Sequence, residues 1–185
     1  MAKTPEPLDT ITQYCRQEAD TAQLAQRFAT SISKEIQQNP SSHLNIALIG
    51  NLGAGKTTWA RYLIQDLGHT GKVKSPTYTL CEPYALQANQ VHYTAYHFDL
   101  YRMRDPLEWQ EAGFAEYFDV PGFCLIEWPD KAEGTLPPFD IQIELESGND
   151  EAERTIKISA FSDRDRKSTR LNSSHSQQSR MPSSA

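Results

Sequence analysis

The segment Asn45–Thr58, NIALIGNLGAGKTT, decides the fold. Ile46, Ala47, Leu48 and Ile49 form an unbroken apolar run, the pattern of a parallel strand buried on both faces. Gly50, Gly55, Lys56 and Thr57 then fit the phosphate-binding spacing G-x-x-x-x-G-K-[ST]. After them Trp59, Tyr62, Leu63 and Leu67 recur at helical spacing. The chemistry needs these residue types in this order. Glycines let successive backbone N–H groups curl around a phosphate chain without Cβ clashes. A helix starting near Lys56 adds its unpaired N–H groups and the positive end of its dipole. Lys56 would reach the β- and γ-phosphates, and the Thr57 hydroxyl would hold Mg²⁺. The bland alternative, a glycine-rich turn that binds nothing, is disfavoured by the strand before the loop and the helix after it.

Working outward, Gly122–Glu127 (GFCLIE) is a second apolar strand ending in an acid, the shape of a Walker B strand. Glu127 would emerge at its tip to bind Mg²⁺ directly or through water. Trp128-Pro129 follows at once, and Trp128 could cover the nucleotide or seal the sheet edge. Val91–Leu100 (VHYTAYHFDL) is rich in strand-forming residues and half-alternating. A carboxylate at the C-terminal end of such a strand faces the crevice where α/β sheets bind ligands. Asp99 could therefore orient an attacking water or hold Mg²⁺ through water, or simply pair with Arg102 or cap a turn. Between these elements lies Val73–Leu80 (VKSPTYTL). Its proline favours extended or turning backbone at Ser75. A hydroxyl from Thr77 on such a loop could contact Mg²⁺ or the γ-phosphate and order the loop as a switch; otherwise it is a turn entering a strand.

The remaining segments supply the frame. Met1–Ile11 reads as a loose lead-in with room for a short strand. Glu18–Gln38 reads as an amphipathic helix with Ala25, Phe28, Ala29, Ile32 and Ile36 on one face, capped by Asp20 or Thr21 and ended by Asn39-Pro40. Its first turn could also lie near the nucleotide base. Asp105-Pro106 has the signature of a helix start, running towards Gly113, and Phe114, Tyr117 and Phe118 read as core aromatics. Phe139–Leu145 and Thr155–Ala160 alternate and are joined by a polar turn at residues 147–150, which predicts a terminal antiparallel hairpin.

Composition narrows the function. The chain has 185 residues, 38% hydrophobic, with a net charge of −6. No apolar run nears the ~20 residues that cross a bilayer, and the N-terminus lacks a signal-peptide core; the expected compartment is the cytoplasm, with no membrane contact. Cys15, Cys81 and Cys124 have no metal-site spacing and read as reduced thiols. His92 and His97 flank one strand at odd spacing, so they point to opposite faces. From Asp165 the chain reads DRKSTRLNSSHSQQSRMPSSA. This wording matches the conceptual translation of a short-read sequencing adapter with a sample index at Ser176–Gln178, so residues 165–185 are expected to be a non-native, disordered tail and residues 1–164 a single domain. The native C-terminus would then lie beyond about Arg164. Without the four basic residues and one acid of that tail the net charge is −9, a poor footprint for wrapping nucleic acid. Any connection with RNA is expected to be indirect.

Four stretches, GNLGAGKTT at Gly50–Thr58, VKSPTYTL at Val73–Leu80, YHFDLYR at Tyr96–Arg102 and CLIEWPDK at Cys124–Lys131, together resemble the bacterial tRNA threonylcarbamoyladenosine biosynthesis ATPase family, TsaE (also YjeE). The resemblance covers about Glu18–Ser159. It implies a P-loop α/β domain with a mainly parallel central sheet flanked by helices, and weak Mg²⁺-dependent ATP hydrolysis. It implies a role in threonylcarbamoyl modification of adenosine 37 in tRNA, exerted on a complex of TsaD- and TsaB-type proteins. By the same resemblance Gly50, Gly53, Ala54, Gly55, Lys56, Thr57 and Thr58 hold the nucleotide, with Trp128 beside it. Thr57 and Glu127 match Mg²⁺ ligands, and Thr77 and Asp99 match switch and catalytic positions, with Lys56 stabilising charge. Asn51 stands where the family often has Asp; it can still hydrogen-bond within the loop but brings no negative charge.

Two other functions share this pattern. A small-molecule kinase would need an arginine-rich lid and an acceptor pocket, and only Arg102 and Arg104 stand between the phosphate-loop helix and the hairpin. A nucleotide-gated binding module would use ATP to order the Ser75–Thr77 loop without needing hydrolysis.

Overall fold

A computed structural model of the chain describes residues 5–162; the tail expected over 165–185 lies outside the described residues. Seven strands form one sheet in the order β1-β7-β6-β2-β5-β4-β3. They are β1 (Asp9–Cys15), β2 (His43–Ile49), β3 (Cys81–Ala88), β4 (Val91–Asp99), β5 (Gly122–Glu127), β6 (Ile141–Ser147) and β7 (Arg154–Ala160). The helices are α1 (Glu18–Gln38), α2 (Lys56–Asp66) and a single turn, α3 (Glu108–Glu111). Apolar β2 lies between β5 and β6, parallel to both, and β4 extends the parallel set. Strands β6 and β7 form the expected hairpin.

The sheet separates two apolar layers. On one face, Leu44, Ile46 and Leu48 of β2 and Phe123 and Leu125 of β5 pack with Leu24, Phe28 and Ile32 of α1 and Trp59 and Leu63 of α2. On the other, Phe98 and Ile126 pack with Trp109 and Phe118. The alternation along β4 and β5 assigns each residue to one layer. It therefore places His97, Asp99 and Glu127 on the face covered by α1 and α2. Among the described residues no helix is long and apolar enough to cross a membrane.

Two local readings change, and the cap of α1 falls to one of the two residues expected, Asp20. The strand in the lead-in runs on to Cys15, because β1 pairs antiparallel with β7 along its whole length, a partner far away in sequence. Helix α1 is capped from its N3 position: the Asp20 carboxylate accepts from the Arg16 and Gln17 backbone N–H groups at 2.9 and 3.2 Å, while Thr21 is buried. The helix expected from Asp105 to Gly113 closes to one turn. There Asp105 accepts from the Leu107 N–H, Glu108 accepts from the Arg104 and Asp105 N–H groups, and Gly113 takes a positive φ of 83°.

Phe28 is 1% exposed, with its ring 6.2 Å from that of Trp59. Phe28→Ala is expected to destabilise the fold by about 3–5 kcal/mol in urea unfolding; a loss below about 1 kcal/mol would show that α1 is not seated on α2 as described.

Candidate functional site

The loop after β2 is held by close approach. A Cβ on Gly50 would sit 2.7 Å from the Leu145 carbonyl oxygen of β6, so only glycine lets the chain leave the sheet here. Gly55, at φ 100°, is the N-cap of α2, a left-handed conformation that glycine adopts without a Cβ penalty. Across the loop, Arg154 of β7 donates from Nε to the Ala54 carbonyl at 2.8 Å. The C-terminal hairpin thus braces the loop at both ends.

Lys56 is 5% exposed. Its ammonium donates to the Gly50 and Asn51 carbonyls at 2.6 and 2.9 Å and lies 4.1 Å from the centre of the Trp128 ring. Burial pushes its pKa down, and the nearby carboxylates of Glu127, Asp99 and Asp130 oppose that shift. Trp128 has left-handed backbone, φ 57° and ψ 51°, costing about 1–3 kcal/mol for a bulky residue. Its ring packs on Tyr101 at 5.0 Å.

The acids come from adjacent parallel strands. Asp99 and Glu127 are register partners at the ends of β4 and β5 and are 5% and 2% exposed. Both Glu127 oxygens lie near the Thr57 hydroxyl, at 3.1 and 3.2 Å, and Oε1 lies 2.7 Å from His97 Nε2. Asp99 Oδ1 accepts from the Tyr101 N–H at 3.0 Å, and Oδ2 accepts from the Ser75 hydroxyl. Ser75 in turn meets the Thr77 hydroxyl at 2.9 Å. The Ser75–Thr77 loop is thereby tied to Asp99.

Seven of the residues singled out in the sequence, Gly53, Lys56, Thr57, Thr77, Asp99, Glu127 and Trp128, line one cavity of about 280 Å³. Gly50 and Asn51 line a separate cavity whose wall Trp128 also forms. Ala54 and Thr58 open into a neighbouring cavity of about 330 Å³, with Glu18, Thr21 and Arg154 in its wall. The first turn of α1 therefore does reach the loop. Thr57 and Glu127 offer a hydroxyl and a carboxylate, the hard oxygen donors that suit Mg²⁺ when phosphate oxygens and waters complete its shell. Among the described residues no cluster of three or more His, Cys, Asp or Glu forms an all-protein metal cage.

Sequence reading overlooked His97 and Arg154 as parts of this site. His97 had a signal: it stands two residues before Asp99, so the two share a strand face. Arg154 had none, because only the β6–β7 pairing brings it to Ala54.

The glycine loop between β2 and α2, set beside acids at the ends of parallel strands, defines a P-loop-type α/β protein. The profile of the family "Threonylcarbamoyl adenosine biosynthesis protein TsaE" matches residues 15–156. The chain belongs to the TsaE family. It is 39% identical over 143 residues to the tRNA threonylcarbamoyladenosine biosynthesis protein TsaE of Haemophilus influenzae, covering 77% of this chain and 86% of that protein. It is 40% identical over 119 residues to the protein of that name from Bacillus subtilis, covering 64% and 71%. The crystal structure of Bacillus subtilis YdiB superposes with a TM-score of 0.68 at 28% identity, covering 91% of this chain and 97% of that one.

Arg154→Ala is expected to speed hydrogen exchange at the amides of residues 51–55 about tenfold, as the loss of a charge-assisted hydrogen bond of roughly 1.5 kcal/mol would. Unchanged exchange there would show that Arg154 does not brace the loop.

Proposed function

We propose that the chain is a Mg²⁺-dependent ATPase that supports threonylcarbamoyl modification of adenosine 37 in tRNA by acting on a TsaD–TsaB-type transferase complex in the cytoplasm. The observation that carries this reading is the convergence of Lys56, Thr57, Asp99 and Glu127 on one cavity at the ends of parallel strands. The loop amides and Lys56 bind the phosphates, Lys56 leaving the Gly50 and Asn51 carbonyls to do so. Thr57 and Glu127 hold Mg²⁺, which when bound neutralises charge on the phosphate oxygens. Asp99 orients the attacking water, and Trp128 excludes bulk solvent from above Lys56. Water is the nucleophile and no covalent intermediate forms.

The neighbouring cavity beside Thr58 accepts the nucleoside, with Glu18, Thr21 and Arg154 in its wall. The hydrogen bond that the Ser75 hydroxyl donates to Asp99, and the one between Ser75 and Thr77, give the loop a route to sense the γ-phosphate. Leu52 and Tyr78, at 76% and 85% exposed, are apolar side chains next to this site that a protein partner would cover. Contact with tRNA runs through that partner. Arg102 lines the same cavity and stacks 4.4 Å from the Tyr78 ring centre; a single arginine there falls short of the arginine-rich lid that a kinase would need.

The test is ATP hydrolysis under Mg²⁺, by the chain alone and with the two partner proteins. Slow turnover that the partner complex alters is the expected result; no partner effect, with fast turnover once a small acceptor is supplied, would favour a kinase. Lys56→Ala is expected to abolish ATP binding in calorimetry, and retained affinity would refute the loop's role. Glu127→Ala should remove the Mg²⁺ dependence of binding; if that dependence survives, another acid is the ligand.

A further inference from the structure

We propose that His97 is a positioning residue for Glu127: it holds one carboxylate oxygen so that the other faces the cation. This rests on the Mg²⁺–nucleotide reading of the site. His97 is 0% exposed, and Glu127, at the wall of the cavity, is 2% exposed, so the pair depends mainly on partners within the protein. A buried carboxylate needs hydrogen-bond donors within the protein. Glu127 has two here, the Thr57 hydroxyl, shared between both oxygens, and the His97 ring at Oε1.

The roles of the two donors differ. Thr57 is itself a candidate ligand, so its oxygen would be engaged by the metal rather than by Glu127 alone. His97 is held differently. It lies on β4, in the sheet, with its Cα opposite Leu125, two residues before Glu127 on the neighbouring strand. Its contact with Glu127 is a diagonal cross-strand pair fixed by the ladder. The His97 ring therefore keeps Oε1 occupied and leaves Oε2 for the cation or its water.

The surroundings of the two ring nitrogens assign the tautomer. Nε2 faces an acceptor and so carries the proton that it donates. Nδ1 is buried and has no hydrogen-bond partner among the described residues. A proton on Nδ1 instead would leave that N–H unsatisfied and set the bare Nε2 lone pair against the carboxylate. Ala95, one step back on the same face, is buried and apolar, so the position does not demand a polar group for packing. The polar atom serves Glu127.

Hydrogen-bonded partners of metal ligands commonly change metal affinity by about 10–100-fold. The experiment is calorimetric titration of the full chain with the non-hydrolysable β,γ-imido analogue of ATP, across a Mg²⁺ series and in EDTA. His97→Leu keeps the volume and removes the donor; His97→Gln places an amide N–H near the position of Nε2. The expected result is a Mg²⁺ midpoint raised about tenfold or more in His97→Leu, unchanged affinity in EDTA, and recovery of most of the shift in His97→Gln. A wild-type Mg²⁺ midpoint in His97→Leu, or an equal loss in EDTA, overturns the positioning role. Wild-type protein that binds the analogue with no Mg²⁺ dependence overturns instead the metal reading on which the inference rests. Should His97→Leu not fold, ¹⁵N spectra of the wild-type imidazoles decide: a single Nε2–H tautomer for His97, shifted by Mg²⁺ with the analogue but not by the analogue in EDTA, supports the role. An Nδ1–H tautomer, or no Mg²⁺-specific shift, rejects it.

Discussion

Strand β2 is hydrogen-bonded on both flanks to strands that run its own way, β5 on one side and β6 on the other. That double parallel pairing is the constraint on which the site depends. It places the end of β2, the end of β5 and the end of β6 along one edge of the sheet, and β4 adds a fourth end beside them. Gly50 leaves the sheet against the Leu145 carbonyl, and Glu127 and Asp99 stand side by side. Each of these contacts is a consequence of register. A shift of one residue between β4 and β5 would turn Asp99 or Glu127 into the opposite, aromatic layer.

The same edge gathers charge that the fold would otherwise exclude. Lys56, Asp99 and Glu127 are all nearly buried, and isolated charges at such depth are costly. They are tolerated because each is engaged: Lys56 by two carbonyls and an indole face, Asp99 by a backbone N–H and a hydroxyl, Glu127 by a hydroxyl and an imidazole. The lysine and the acids also neutralise part of one another's field, which is why the carboxylates oppose the downward pull of burial on Lys56.

Much of this was legible in the sequence, for a physical reason. The phosphate loop, the apolar strand ending at Glu127 and the strand ending at Asp99 are local patterns, each readable from residues a few positions apart. Helix α1 was legible because its apolar residues recur at helical spacing from Leu24 to Ile36 and Asn39-Pro40 stops it. What escaped depends on pairing across the chain. The full extent of β1 is fixed by β7. Arg154 reaches Ala54 only after the hairpin has joined the sheet. The strand face that His97 shares with Asp99 could be read locally, but its contact with Glu127 exists only once β5 pairs with β4. The turn at Glu108–Glu111 failed as a longer helix because its acids satisfy backbone N–H groups at its start and Gly113 closes it two residues beyond its end.

The pairing of β1 with β7 sets an order of events during synthesis. Strand β1 precedes its sheet partner β7 by most of the described residues and stays without it until they have been made. The loop is in the same position, since both of its braces, the Leu145 carbonyl and the Arg154 guanidinium, lie on the last hairpin. Such long sequence separations favour slow, late assembly. A nascent chain cut short before β6 would carry the whole glycine-rich segment and yet lack the walls that shape it. Arrival of the β6–β7 hairpin and competence of the loop are thereby made a single event.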